Sequence, residues 1–158
     1  MIKVLFVCLG NICRSPMAEG VFQHKVNQAG LSNQIMVDSA GTGSWHAGEQ
    51  AHRGTRQILS KHNIPYNGRA RQFARRDLSD FDYILAMDED NLANIERHAG
   101  GESDGEIRLF LSYAKDAGTV DRATVPDPYY DNRFDYVYDL VDRGCDALLT
   151  HIRAQNDL

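Results

Sequence analysis

The sequence predicts an α/β fold built on an open parallel sheet with helices on both faces. Near-continuous apolar runs rich in branched residues read as strands buried on both faces, and segments with helical spacing alternate with them. The length, 158 residues with 42% hydrophobic content, suits a single domain spanning residues 1–158.

The first strand is Ile2-Lys3-Val4-Leu5-Phe6-Val7. After a turn, Ser15 and Pro16 supply an N-cap and an N1 proline, and Met17, Val21, Phe22 and Val26 repeat at helical spacing until Gly30 stops the pattern. Ile35-Met36-Val37 reads as a second short strand, Arg53 to His62 as a helix, and Tyr83-Ile84-Leu85-Ala86-Met87 as a third strand. Asp88 caps a helix that runs to about His98. Gly100 to Gly105 reads as a mobile surface loop. Ile107 to Leu111 is the fourth strand, followed by a long polar connection and a final helix carrying Phe134, Tyr138, Val141, Cys145, Leu148 and Ile152 on one stripe. The expected architecture is an open four-stranded parallel sheet of order 2-1-3-4, a flavodoxin-like three-layer sandwich. Ligands of such sheets bind outside the carboxyl ends of the strands, so the loops beginning near Cys8, Ala40, Met87 and Ser112 should meet.

Charge and cysteine usage exclude several function classes. The net charge of −5 argues against a nucleic-acid partner, and the basic stretch Arg69, Arg71, Arg75 and Arg76 reads as solvated surface. Cys8, Cys13 and Cys145 form no CxxC pair and no zinc-ligand spacing, so neither a disulfide framework nor a metal or other cofactor is indicated. The six histidines have no ligand-like spacing and no evident pairing with Cys8. The apolar run Ile2 to Leu9 is too short to span a membrane, so the expectation is a cytoplasmic protein with no membrane partner.

The sharpest signal is Cys8-Leu9-Gly10-Asn11-Ile12-Cys13-Arg14-Ser15, a cysteine at a strand end and an arginine at a helix entrance. Such a loop can curl so that the successive amides of Leu9 to Ser15 line a concave anion site at the positive end of the helix dipole. Gly10 and Asn11 are residue types that tolerate the left-handed backbone such a curl requires. The same field favours a thiolate at Cys8, which is then a nucleophile at neutral pH. The planar fork of Arg14 can hold two equatorial phosphoryl oxygens while sulfur attacks in line, which a lysine cannot do. Ser15 serves as a helix cap, with donation to the sulfur as the alternative. Cys13 reads as a small packing residue and Cys145 as core.

The loop Val7 to Pro16 resembles that of the low-molecular-weight protein tyrosine phosphatases, and the resemblance extends over the chain through Asp38 to Thr42, Ala70-Arg71-Gln72, Phe81 to Asp88 and Asp127-Pro128-Tyr129-Tyr130. It implies Cys8 as nucleophile, Arg14 as phosphate clamp and Asp127 as the acid that protonates the leaving oxygen and then activates water. Pro126 and Pro128 would steady the Asp127 backbone on both sides. It also implies that Trp45, Tyr129 and Tyr130 wall a cleft deep enough for a phosphotyrosine ring and too deep for phosphoserine. Cys13 would form a reversible disulfide with Cys8 under oxidation. The implied partners are phosphotyrosine proteins or small aryl phosphates, with inorganic phosphate, sulfate or vanadate able to fill the loop. A monomer is expected, with a weak dimer as the alternative.

Two other readings share the same loop. An arsenate reductase needs accessible downstream thiols, and between Cys13 and Cys145 the chain has none. A non-catalytic phosphotyrosine-binding module needs neither the thiolate nor the acid that this sequence retains.

Overall fold

The computed structural model describes residues 1–101 and 103–158. Four strands, β1 (Ile2–Cys8), β2 (Ile35–Gly41), β3 (Tyr83–Ala86) and β4 (Glu106–Leu109), pair in parallel in the order β2-β1-β3-β4. The helices are α1 (Arg14–Gln28), α2 (Arg53–Lys61), α3 (Asp77–Asp80), α4 (Glu89–Ala99), α5 (Ser112–Asp116), α6 (Pro128–Asp131) and α7 (Phe134–Asn156).

Alternation along the central strand β1 creates the three layers. Val4, Phe6 and Cys8 face one core, filled by Met17, Val21 and Phe22 of α1 and by Val137, Val141, Cys145 and Leu148 of α7. Leu5 and Val7 face a smaller core with Phe73, Leu78, Phe81 and Ile95. The Phe6 ring meets Phe22 and Phe110 edge-on, with centroids 5.7 and 5.3 Å away. This aromatic cluster anchors the strand whose end carries Cys8.

Some boundaries differ from those read in the sequence. Strand β2 runs on to Gly41, because Asp38 and Ser39 at its carboxyl end find polar partners within the protein and break the apolar pattern without breaking the strand. Strand β4 ends at Leu109, and Phe110 and Leu111 are buried in the turn into α5. The polar connection contains α5 and α6, each too short to show a periodicity. On α7 the inner stripe uses Val137 and Leu140, whereas Tyr138 is half-buried.

Helix α1 begins two residues earlier than expected, at Arg14, with Cys13 in the N-cap position and no side-chain cap. Ser15 therefore lies inside the first turn and is no cap. Asp88 does cap α4, in a reciprocal capping box with Asn91, and Gly100 closes that helix in the left-handed conformation. Of the segment Gly100 to Gly105 that the sequence suggested as a mobile loop, Glu102 lies outside the described residues. No helix among the described residues is long and apolar enough to cross a membrane.

Truncating a fully buried ring leaves a cavity that the interlocked sheet and helices can only partly close. Phe6→Ala is expected to cost about 3–5 kcal/mol. Urea unfolding should show that loss as a lower midpoint with an unchanged slope.

Candidate active site

The segment between β1 and α1 closes into a tight loop because neighbouring segments bind its carbonyls from outside. Thr42 N–H donates to Cys8 O at 2.8 Å, Gly43 N–H to Leu9 O at 2.9 Å, His52 N–H to Ile12 O at 2.7 Å and the Thr55 hydroxyl to Cys13 O at 2.9 Å. In a trans peptide the amide that follows each carbonyl points the opposite way, so the N–H groups of Leu9, Gly10, Cys13 and Arg14 face the loop's interior. The Asn11 amide donates to Cys8 Sγ at 3.2 Å. The result is a concave ring of donors around the sulfur, opening at the N-terminus of a 15-residue helix.

Asn11 alone in this loop takes the left-handed backbone, with φ 58°. Gly10, expected to share that role, has no positive φ and instead leaves room for the His46 ring, which a Cβ at position 10 would approach at 3.1 Å. At Gly41 a Cβ would stand 2.9 Å from Leu9 O, so only glycine lets the end of β2 reach the loop.

The Asn11 side chain fastens the loop from beneath. Its carbonyl oxygen accepts from Arg71 N–H at 3.0 Å, which turns its NH₂ group toward the hydroxyls of Ser15 (2.8 Å) and Ser39 (2.9 Å). Ser15 Oγ stands 3.0 Å from Cys8 Sγ. Arg71, read from the sequence as solvated surface, is a structural tie: its guanidinium bridges Asp38 at 3.1 Å and the buried Asp77 at 3.0 Å. Arg69, Arg75 and Arg76 are exposed as expected.

Arg14 is 3% exposed. Its guanidinium donates to Asp88 at 2.6 Å and to Val125 O at 3.0 Å, and lies 3.5 Å from Asp127. Burial works against the cation, and Cys8, the Asp88 hydrogen bond and Asp127 outweigh it, so the arginine holds its proton more tightly than usual. Asp88 was read from the sequence as a helix cap alone, yet one carboxylate oxygen caps α4 while the other fixes Arg14. Its place directly after β3, at a strand's carboxyl end, is the signal that marks it. Asp127 caps α6, accepting from Tyr129 N–H at 3.1 Å.

Cys8, Leu9, Gly10, Ile12, Cys13, Arg14 and Asp127 line one cleft of about 280 Å³, walled by Trp45, His46, Tyr129 and Tyr130. Trp45 and Tyr130 are 70% and 80% exposed, at its rim. His46 was missed in the sequence; its ring is held by Glu49 at 3.0 Å. The loops after β1, β2 and β3 converge as expected. The loop after β4 does not: Ser112 bonds back to Arg108 and Leu109, and the segment after α5 supplies Val125 to Asp127 instead. All three cysteines are free and buried, with Cys145 fully enclosed. Burial pushes the Cys13 thiol up to about 12, with the charges of Asp127 and Cys8 adding to the rise, and pushes Cys145 up as well.

Residues 3–158 match the model of the low molecular weight phosphotyrosine protein phosphatase family. The chain is 46% identical over 159 residues to the low molecular weight protein-tyrosine-phosphatase YfkJ of Bacillus subtilis, covering 100% of both chains. It is 44% identical over 153 residues to PtpA of Staphylococcus aureus, covering 96% of this chain and 94% of that one. The crystal structure of YfkJ superposes with a TM-score of 0.94, covering 99% of this chain and 97% of that one. An Entamoeba histolytica protein tyrosine phosphatase with Hepes in its active site superposes at 0.91, with 33% identity and 98% and 99% of the two chains covered. Drosophila arginine phosphatase superposes at 0.89, with 35% identity and 96% and 98% covered. The chain therefore belongs to the low-molecular-weight protein tyrosine phosphatases, a family of phosphomonoester hydrolases.

The raised Cys13 thiol sets an alkaline limit on stability. Unfolded, it ionises near its ordinary value of 9.0; folded, it stays protonated to about 12, so above 9.0 the native state binds the extra proton and stability falls as pH rises. Urea midpoints should decline through this window, and Cys13→Ala should flatten the decline.

Proposed function

We propose that residues 1–158 form a single phosphatase domain that hydrolyses phosphotyrosine in proteins, and aryl phosphates, through a cysteinyl-phosphate intermediate. The observation that carries this reading is the meeting of Cys8 Sγ, the Arg14 guanidinium and the Asp127 carboxyl in one aromatic-walled cleft.

In the first step the Cys8 thiolate attacks phosphorus as the bond to the aryl oxygen breaks, and that oxygen takes its proton from Asp127. The amides of the loop and the fork of Arg14 hold the three peripheral oxygens, whose charge grows in the transition state. In the second step water attacks phosphorus and gives its proton to Asp127, the sulfur–phosphorus bond breaks, and the leaving thiolate is met by the Ser15 hydroxyl 3.0 Å away. The Asp88 carboxylate keeps Arg14 aimed throughout.

Trp45, Tyr129 and Tyr130 would flank the substrate ring; Tyr129 and Tyr130 already stand edge to face, with centroids 5.3 Å apart. The buried state of Cys145 argues against an arsenate-reducing relay, which needs a reachable second and third thiol. Cys8 and Cys13 line the same cleft, which supports redox protection of the nucleophile by a disulfide between them.

Hydrolysis of p-nitrophenyl phosphate in the presence of a chelator tests the assignment. Activity should persist in the parent, vanish in Cys8→Ser and fall about 10²–10⁴-fold in Asp127→Ala. Turnover surviving Cys8→Ser would contradict the mechanism, and faster release of phosphate from phosphoarginine than from phosphotyrosine peptides would change the substrate class.

A further inference from the structure

Tyr129, whose ring would flank the substrate, is carried on a short piece of backbone. It is 51% exposed and sits on the one-turn α6, which follows Asp127 and ends at Asn132 in the left-handed conformation. A single helical turn has little stability of its own. The neighbouring Tyr130 ring, with centroids 5.3 Å apart, is itself 80% exposed and offers no anchorage.

The anchorage comes from His52, at the entrance of α2. Its imidazole meets the Tyr129 ring edge to face, with centroids 5.8 Å apart and planes at 73°, and stacks on Phe134 at 5.1 Å and 19°. Phe134 opens α7, is 8% exposed and belongs to the larger core. Gly54 lets α2 start close against it, since a Cβ at that position would stand 2.4 Å from the Phe134 ring. Rings therefore run unbroken from the core at Phe134, through His52, to the cleft wall at Tyr129.

Two hydrogen bonds fix the imidazole. Its Nδ1 accepts from Gly54 N–H at 3.0 Å, which caps α2 and sets the rotation of the ring. The main-chain N–H of His52 donates to Ile12 O at 2.7 Å, which sets where the residue stands. Asn, Asp, Ser and Thr cap a helix but carry no ring, and Phe carries a ring but no acceptor. Histidine supplies both.

We propose that His52 is a positioning residue for substrate specificity, holding the Tyr129 ring against the aryl group and so favouring aryl over non-aromatic phosphate esters. This inference rests on the proposed hydrolysis of aryl phosphates with Tyr129 flanking the ring. His52 touches neither substrate nor sulfur and acts through Tyr129. Its bond to Ile12 is made by the main chain and survives any substitution except proline, so anion binding in the loop does not depend on the imidazole.

The test measures KM and kcat for p-nitrophenyl phosphate, competitive inhibition by inorganic phosphate, and urea midpoints. The proteins are the full chain, His52→Asn, which keeps a cap without a ring, His52→Phe, which keeps a ring without a cap, Tyr129→Ala, and the double variant His52→Asn with Tyr129→Ala. His52→Asn should retain the parent's urea midpoint and raise KM about threefold to tenfold, the size of one aromatic pair, with kcat and phosphate inhibition within twofold of the parent. His52→Phe should lower the urea midpoint yet recover most of the loss in KM; a merely structural residue would move stability and KM together. The double variant should be no worse than Tyr129→Ala alone, because both changes remove one contact to the substrate. The inference is overturned by a KM in His52→Asn within twofold of the parent while Tyr129→Ala raises it. Phosphate inhibition that weakens in step with KM, or losses that multiply in the double variant, would overturn it as well. A parental KM in Tyr129→Ala would instead overturn the aromatic wall, and a parent inactive on aryl phosphates would overturn the phosphatase reading.

Discussion

The site depends on one constraint: the segment from Cys8 to Arg14 must present its amides inward, and it does so because other segments hold its carbonyls outward. Each of those outer bonds comes from an element that the sheet order delivers. Strand β2 lies beside β1, so Thr42 and Gly43, directly after it, reach the carbonyls of Cys8 and Leu9. The entrance of α2 brings His52 and Thr55 to Ile12 and Cys13. Asn11 absorbs the left-handed turn that lets the loop close, and its side chain converts that turn into a rigid base by bonding Arg71, Ser15 and Ser39. An anion bound in such a ring meets donors fixed before it arrives, so little reorganisation accompanies the reaction.

A ring of inward amides and a buried guanidinium is costly unless negative charge answers it. Arg14 is answered unequally by two carboxylates. Asp88 is close, at 2.6 Å, and doubly used as a cap, so it is a fixed counterion. Asp127 stands further off, at 3.5 Å, on a one-turn helix flanked by prolines. A close, doubly bonded carboxylate suits positioning, and a loosely held one suits proton exchange; the asymmetry matches the roles proposed for the two residues. The pair also keeps one member near the arginine in every step, which limits the penalty of burying an unpaired cation.

Much of this was legible in the sequence, for reasons that particular residues make clear. The strands could be read because a central parallel strand is apolar on both faces, as Val4 to Val7 are. Cys8 and Arg14 stood out through the strand before them and the helix after them, and Asp127 through the family resemblance. Of the two roles read for Ser15, the cap was favoured because a hydroxyl at a helix entrance caps by default, and the contact with the Cys8 sulfur is the one that forms once the loop has curled. Arg71 was misread because an arginine run says nothing of the acids it will meet, and Asp38 and Asp77 lie on different elements. Asp88 disclosed one of its two oxygens. Glu19 gave no signal at all: its partners, Ser39 and Tyr66, are 20 and 47 residues away along the chain.

The central claim is that phosphorus passes through a bond to the Cys8 sulfur held above that ring of amides. Rapid acid quenching during turnover of an aryl phosphate, followed by peptide mapping, tests it most directly. The account predicts a phosphoryl group on the peptide containing Cys8, attached through sulfur and lost on exposure to water. Phosphate recovered on an aspartate, or release of product with no phosphorylated peptide at any quench time, would contradict it.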